Sequence, residues 1–223
     1  MGDRMGLILA DSVQDLPFIQ TINLCDNNLT DVSLGKIINS IITIETLTDL
    51  DLSENVIDGQ AAFALAVFLG SSHCKLLRLI MKSANIDDDE CSMFVTSLKK
   101  NHSLRELDLS YNLIGNDENL NSVKPDLITG SEALADLLES NACYVSTLRL
   151  CWNMVRLDGA VTFATSLAVN SYLTLLDVSY NSLAEAGGEA LGKALLTNNT
   201  LKELYLDHNG GSNCNSVCRF WCI

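Results

Sequence analysis

The chain has 223 residues, of which 28 are acidic and 14 basic, for a net charge of −14. That balance argues against nucleic acid and anionic membrane as primary partners and favours a protein partner with basic patches. No apolar run approaches the ~20 residues of a membrane span, and Asp11 and Asp15 follow Leu7-Ile8-Leu9 too closely for a secretory signal, so a cytoplasmic setting with free thiols is expected.

In chain order, residues 5–16 come first. Counted back one repeat from the next unit, Leu9, Ala10 and Val13 fall in helix phase, which predicts the helix of a unit whose strand is absent. Ile22-Asn23-Leu24-Cys25-Asp26-Asn27 then opens a phrase that returns along the chain. It recurs as Leu50-Asp51-Leu52-Ser53-Glu54-Asn55, Leu107-Asp108-Leu109-Ser110-Tyr111-Asn112, Leu148-Arg149-Leu150-Cys151-Trp152-Asn153, Leu176-Asp177-Val178-Ser179-Tyr180-Asn181 and Leu204-Tyr205-Leu206-Asp207-His208-Asn209. Leu79-Ile80-Met81-Lys82-Ser83-Ala84 is a degenerate copy. The marker positions 27, 55, 84, 112, 153, 181 and 209 are spaced by 28, 29, 28, 41, 28 and 28. Such a period means a stacked-repeat solenoid.

Each unit carries two rhythms. Leu47, Leu50, Leu52 and Ile57 alternate around the Asn, as in a short strand buried on one face. About ten residues later the spacing turns helical, as in Leu65, Ala66 and Leu69, or Phe163, Ala164 and Leu167. Strands joined through helices must lie parallel. Strands stack ~4.8 Å apart while helix axes need ~8–10 Å, so the sheet takes the concave side and the helices the convex side. Ala66, Ala135, Ala164 and Gly192 share one helix position, where small residues let the helix approach the sheet. Asn27, Asn55, Asn112, Asn153, Asn181 and Asn209 are expected to form a structural ladder, because an amide both donates and accepts in a buried turn. Ala84 breaks it, and a weaker turn is expected there.

These units resemble leucine-rich repeats, in the 28–29 residue type of ribonuclease-inhibitor-like proteins. The resemblance rests on the L-x-x-L-x-L-x-x-N-x-L strand motif and a later G-x-x-x-L-x-x-x-L helix motif, clearest from Gly159 to Leu167 and from Gly187 to Leu195. It covers nearly all of the chain and implies an α/β leucine-rich repeat solenoid of about six and a half repeats. It says little about function, because that family contains inhibitors, innate sensors, GTPase activators and cytoskeletal adaptors.

Three segments depart from the pattern. Asp87-Asp88-Asp89-Glu90 begins where a helix starts, and is expected to cap it rather than bind metal. The 41-residue spacing places an insertion at about 115–129, polar and holding Pro125, hence a surface loop. After Asn209 the pattern fails, so residues 1–209 form the array and 210–223 an irregular tail; the chain is expected to be a section of a longer array, or its tail to come from a different reading of the gene. Cys214, Cys218 and Cys222 in that tail match no common zinc spacing, and no metal is expected. Cys25 and Cys151 take the slot of Ser53, Ser110 and Ser179, as small packed side chains.

No phosphate-binding loop, nucleophile elbow or H-E-x-x-H motif is present, so neither an enzyme nor a cofactor is expected. The candidate partner-binding face is the concave sheet, with Asp49, Asp51, Asp108, Arg149, Asp177 and Tyr205 pointing outward. The residue before each marker forms a second column, in which Tyr111, Trp152, Tyr180 and His208 follow one another. Exposed aromatics beside acidic groups have the composition of a binding hot spot, though rings can also simply pack on their stacked neighbours. The expected function is a non-enzymatic scaffold holding a protein partner. The alternatives are a small-GTPase regulator, since the Ran GTPase activator resembles this repeat type, and the sensor section of a larger receptor.

Overall fold

The computed structural model describes every residue except 1, 14, 17, 121–126, 141–143 and 211–223, together with the side chains of 119 and 120. Helices and strands alternate: α1 (Asp3–Val13), β1 (Thr21–Asn23), α2 (Asp31–Ile41), β2 (Asp49–Asp51), α3 (Gly59–Leu69), β3 (Arg78–Ile80), α4 (Asp88–Leu98), β4 (Glu106–Asp108), a 3-10 helix (Asn116–Leu120), α5 (Gly130–Glu139), β5 (Thr147–Arg149), α6 (Leu157–Ser166), β6 (Leu175–Asp177), α7 (Ala184–Leu195) and β7 (Glu203–Tyr205). All strands are parallel and lie in one sheet in the order β1 to β7. The fold is the α/β leucine-rich repeat solenoid that the periodicity implies.

Each of β1 to β6 buries its middle residue. Ile22, Leu50, Leu79, Leu107, Leu148 and Leu176 occupy the middle of β1 to β6, pair with one another in register, and point into the core. Leu24, Leu52, Met81, Leu109, Leu150 and Val178 form a second buried row. Leu29, Ile57, Ile86, Ile114, Val155 and Leu183, two residues past each marker, form a third. The helices close the core from the other side, with Ile37, Leu65, Phe94, Leu134 and Phe163 buried against these rows. Each helix packs on the next in sequence.

Ala66, Ala135 and Ala164 are buried as close packing requires, but Gly192 is exposed and nothing lies within 4 Å of a Cβ placed there. In α7, the last helix among the described residues, this position lies outside the packed contact. The first helix is also shifted from its expected bounds and starts at Asp3, where the carboxylate accepts from Thr30 N and from the hydroxyls of Thr30 and Ser33.

The marker asparagines after Asn27 bridge consecutive turns. Asn55, Asn112, Asn153, Asn181 and Asn209 are buried, and each Nδ2 donates to a carbonyl of the preceding unit: Leu24, Met81, Leu109, Leu150 and Val178, at 2.7–2.9 Å. The Oδ1 of Asn55, Asn112, Asn153 and Asn181 accepts an N–H of the preceding unit, from Leu29, Ile86, Ile114 and Val155 respectively. Asn27, half-buried, donates to Cys25 O of its own turn at 3.0 Å. At Ala84 the backbone substitutes: Ile57 N–H donates to Ala84 O at 3.0 Å.

The insertion is not a loose surface loop at its ends. Gly115, Glu118 and Thr129 are buried. The buried carboxylate of Asp88 accepts from Gly115 N and Gly130 N, both at 2.6 Å, and from Asp117 N at 2.8 Å. Glu118 accepts from Gly159 N at 3.1 Å, and burial raises its pKa. Acidic side chains at one helix start thus hold N–H groups of the next unit, where the helix dipole favours them.

Candidate protein-binding face and rim

At the end of every strand the chain must leave the sheet and turn toward its helix. The residue that makes this turn is in the left-handed region in all seven units: Asp26, Glu54, Ser83, Tyr111, Trp152, Tyr180 and His208 have φ between 49° and 61°. That conformation aims each N–H at the following unit. Asp26 N donates to Ser53 O, Glu54 N to Lys82 O, Ser83 N to Ser110 O, Tyr111 N to Cys151 O, Trp152 N to Ser179 O and Tyr180 N to Asp207 O, at 2.6–3.1 Å. The side chains consequently leave the backbone in the same direction, one per unit, along the rim of the concave face.

In the C-terminal half this column is a stack of rings. Tyr111 and Trp152 lie 6.0 Å apart between centroids, Trp152 and Tyr180 4.5 Å, and Tyr180 and His208 4.3 Å. Their planes differ by 14°, 9° and 9°. Tyr111 remains 53% and Trp152 49% exposed. The stack therefore has both properties considered above: the rings pack on each other, and their edges face solvent.

The sheet positions divide differently. Asp49, Asp51, Arg149 and Asp177 are half-buried and Tyr205 is exposed on the outward side of the strands. Asp108 does not point outward to solvent. It is 3% exposed, paired with Lys82 Nζ at 3.2 Å, and its Oδ1 accepts from Ser110 N. The same turn bond fixes Asp51 to Ser53 N and Asp177 to Ser179 N. These aspartates recur because they close the turn two residues on. Arg149 lies between Asp108 and Asp177 in register, yet among the described residues no carboxylate comes within 4.0 Å of it. Tyr205 donates its hydroxyl to Glu203 at 3.1 Å, which raises the phenol pKa.

Burial, then the charges of Asp177 and Asp108, push the Cys151 thiol up to about 11. Cys25, Cys74, Cys91 and Cys151 are free. Among the described residues no group of three or more His, Cys, Asp or Glu is placed to hold a metal ion; Cys214, Cys218 and Cys222 lie outside them. Asp87 and Glu90 close a capping box on α4, with Asp87 accepting from Asp89 N.

Two features escaped the sequence reading. His102, Tyr144 and Tyr172 form a second ring cluster at the start of the strands, with centroids 5.4 and 5.0 Å apart and Arg105 over the Tyr144 ring. A second amide series, Asn101, Asn170 and Asn198, donates to Leu69 O, Leu138 O and Leu167 O in the helix-to-strand turns. The 28-residue spacing of Tyr144 to Tyr172 and of Asn170 to Asn198 was the available signal.

An open parallel sheet with one helix per unit and an amide rung between most of them is the architecture of a leucine-rich repeat protein. The family described as "Leucine Rich repeat" matches residues 43–66, 100–117 and 169–192. The chain is 26% identical over 209 residues to a ribonuclease inhibitor from Sus scrofa, covering 91% of this chain and 43% of that protein. It is 29% identical over 184 residues to the Mus musculus protein "NACHT, LRR and PYD domains-containing protein 12", covering 82% of this chain and 16% of that one. A second mouse relative, "NACHT, LRR and PYD domains-containing protein 5", is 25% identical over 169 residues, with 76% and 14% covered. The chain thus spans less than half the length of each of these relatives, and its repeats are of the ribonuclease-inhibitor-like type.

Proposed function

We propose that the chain is a non-enzymatic scaffold that holds a protein partner across the concave face and its aromatic rim. The observation that carries this reading is the identity of the residues in the left-handed turn. Glycine or asparagine adopts that backbone at least cost, whereas other residues lose roughly 1–2 kcal/mol there. Asp26, Glu54 and Ser83 accept the same cost in the other units, so what sets the last four apart is that Tyr, Trp, Tyr and His place rings at adjacent strained turns, and strain of this kind clusters at functional sites. Ring stacking offsets part of it, about 0.5–1.5 kcal/mol per pair, but does not require the edges to remain exposed. Asp49, Asp51, Asp177 and the net charge of −14 favour a partner with a basic surface.

The test is partner capture by the chain and by a variant with Tyr111, Trp152 and Tyr180 changed to Ala. Loss of capture with circular dichroism near wild type is expected, at a lower melting temperature because three stacked pairs are lost, and Trp152→Ala alone should weaken capture at least tenfold, since a hot-spot aromatic contributes ~2 kcal/mol or more. A convex-face control, Lys100→Ala, should capture normally. A folded triple variant that still captures the partner overturns the reading.

A second reading has its own support. The NACHT, LRR and PYD relatives match this chain over a small part of their length, which favours a repeat section that senses a ligand for a larger receptor. The full transcript tests it: a nucleotide-binding module upstream supports this reading, and a free-standing array removes it.

A further inference from the structure

The ring stack stops at Tyr111. The next position of the column, one strand away, is Ser83, whose backbone has the same left-handed turn, φ 49°. The register continues through it, because Ser83 N donates to Ser110 O at 3.1 Å and Glu54 N to Lys82 O at 2.8 Å. The socket for another ring is therefore built, and a hydroxymethyl group occupies it. Tyr111, 53% exposed, borders this gap on one side. On the other side stands Glu54, exposed and without an ion pair among the described residues. An open groove of ≈ 530 Å³, lined by Asn28, Glu54, Val56, Ser83 and Asn85, continues from it. Lys82, the neighbouring cation, is already committed to Asp108.

We propose that this gap receives an arginine side chain of the partner. The inference rests on the rim being the binding surface and names the group it takes at this point. Column positions step by about one strand spacing, ~4.8 Å, so one planar layer fits between Tyr111 and Glu54. A guanidinium is such a layer. One face stacks on the tyrosine ring, where the ring quadrupole attracts a cation, and the exposed Glu54 side chain reaches from the far side of the gap to accept charge-assisted hydrogen bonds from the guanidinium N–H rim. A lysine ammonium is a compact, strongly hydrated charge that does not stack. The gap should therefore discriminate arginine from lysine, whereas a merely acidic surface would not.

The experiment uses the full chain and two fluorescein-labelled, end-blocked ten-residue peptides of glycine, proline and leucine, one with a central arginine and one with a central lysine. Fluorescence anisotropy should show the arginine peptide binding at least fivefold tighter. Ser83→Tyr fills the gap with a residue the column already holds at Tyr111 and Tyr180, and should remove that preference while the melting temperature stays near wild type. Glu54→Gln should reduce it. In the wild-type chain, the Tyr111 ring protons should shift on adding the arginine peptide and not the lysine peptide, which reads the contact without any variant. Equal affinity for the two peptides, no saturable binding of either at millimolar concentration, or unchanged arginine binding by folded Ser83→Tyr overturns the proposal. Loss of partner capture by the aromatic triple variant alongside any of these leaves the rim reading standing and removes only the arginine gap; retained capture by that variant removes the rim reading itself.

Discussion

One amide side chain does in each turn what two separate groups would otherwise have to do. Asn112 donates to Met81 O, Leu109 O and Ser110 O and accepts from Ala84 N and Ile86 N. Asn112→Ala leaves these buried groups unpaired and should lower stability by about 1–3 kcal/mol in urea unfolding. Asn85 lies outside the ladder and has φ 61°, so Asn85→Gly, which keeps that backbone accessible, should be close to neutral. Equal losses for the two variants would contradict the assignment. The rim residues behave in a second way. Trp152→Gly should be more stable than Trp152→Ala by about 1 kcal/mol, because alanine keeps the strain of the left-handed turn and loses the ring. The column itself was legible, since its members recur one per unit. Its backbone was not, because bulky aromatic residues are outliers at positive φ and their presence argues against such a turn.

At the scale of the element, the instructive case is the start of α4. Its run of four acids reads as helix capping, and Asp87 with Glu90 does cap. Asp88 instead holds both ends of the insertion, through partners 27 and 42 residues further along. No local pattern announces a bond across such distances, and the inserted residues hide the period that would have aligned them. Asp88→Ala should cost roughly 2–4 kcal/mol, because buried N–H groups lose a charged acceptor. It should also open the segment between Gly115 and Gly130 to limited proteolysis while the other connections stay intact. Cleavage elsewhere first would show that the carboxylate braces α4 rather than the insertion. The second amide series was less concealed: the interval from Asn101 spans the 41-residue spacing, but Asn141, Asn170 and Asn198 follow one another in the sequence at 29 and 28 residues.

For the whole molecule, each unit touches chiefly its neighbours, so stability is a sum of units and joints with no single closed core. Amide exchange should then be slowest in the middle of the array and fastest in α1 and α7, whose outer sides lack a packed unit among the described residues. Uniform protection along the chain would contradict this. The architecture was legible at this scale because every period repeats the same buried leucines; the face that meets a partner was less so, since outward Asp51 and Asp177 serve their own turns and Asp108 is buried beneath Lys82. The joints are also unequal. At Ala84 the amide cross-link is missing, and a single backbone bond from Ile57 stands in for the side-chain acceptor. A solenoid pulled from its two ends carries tension in series, and the least riveted seam yields first. Under load this array should part between its second and third units, leaving the aromatic rim and its supporting units as one intact piece.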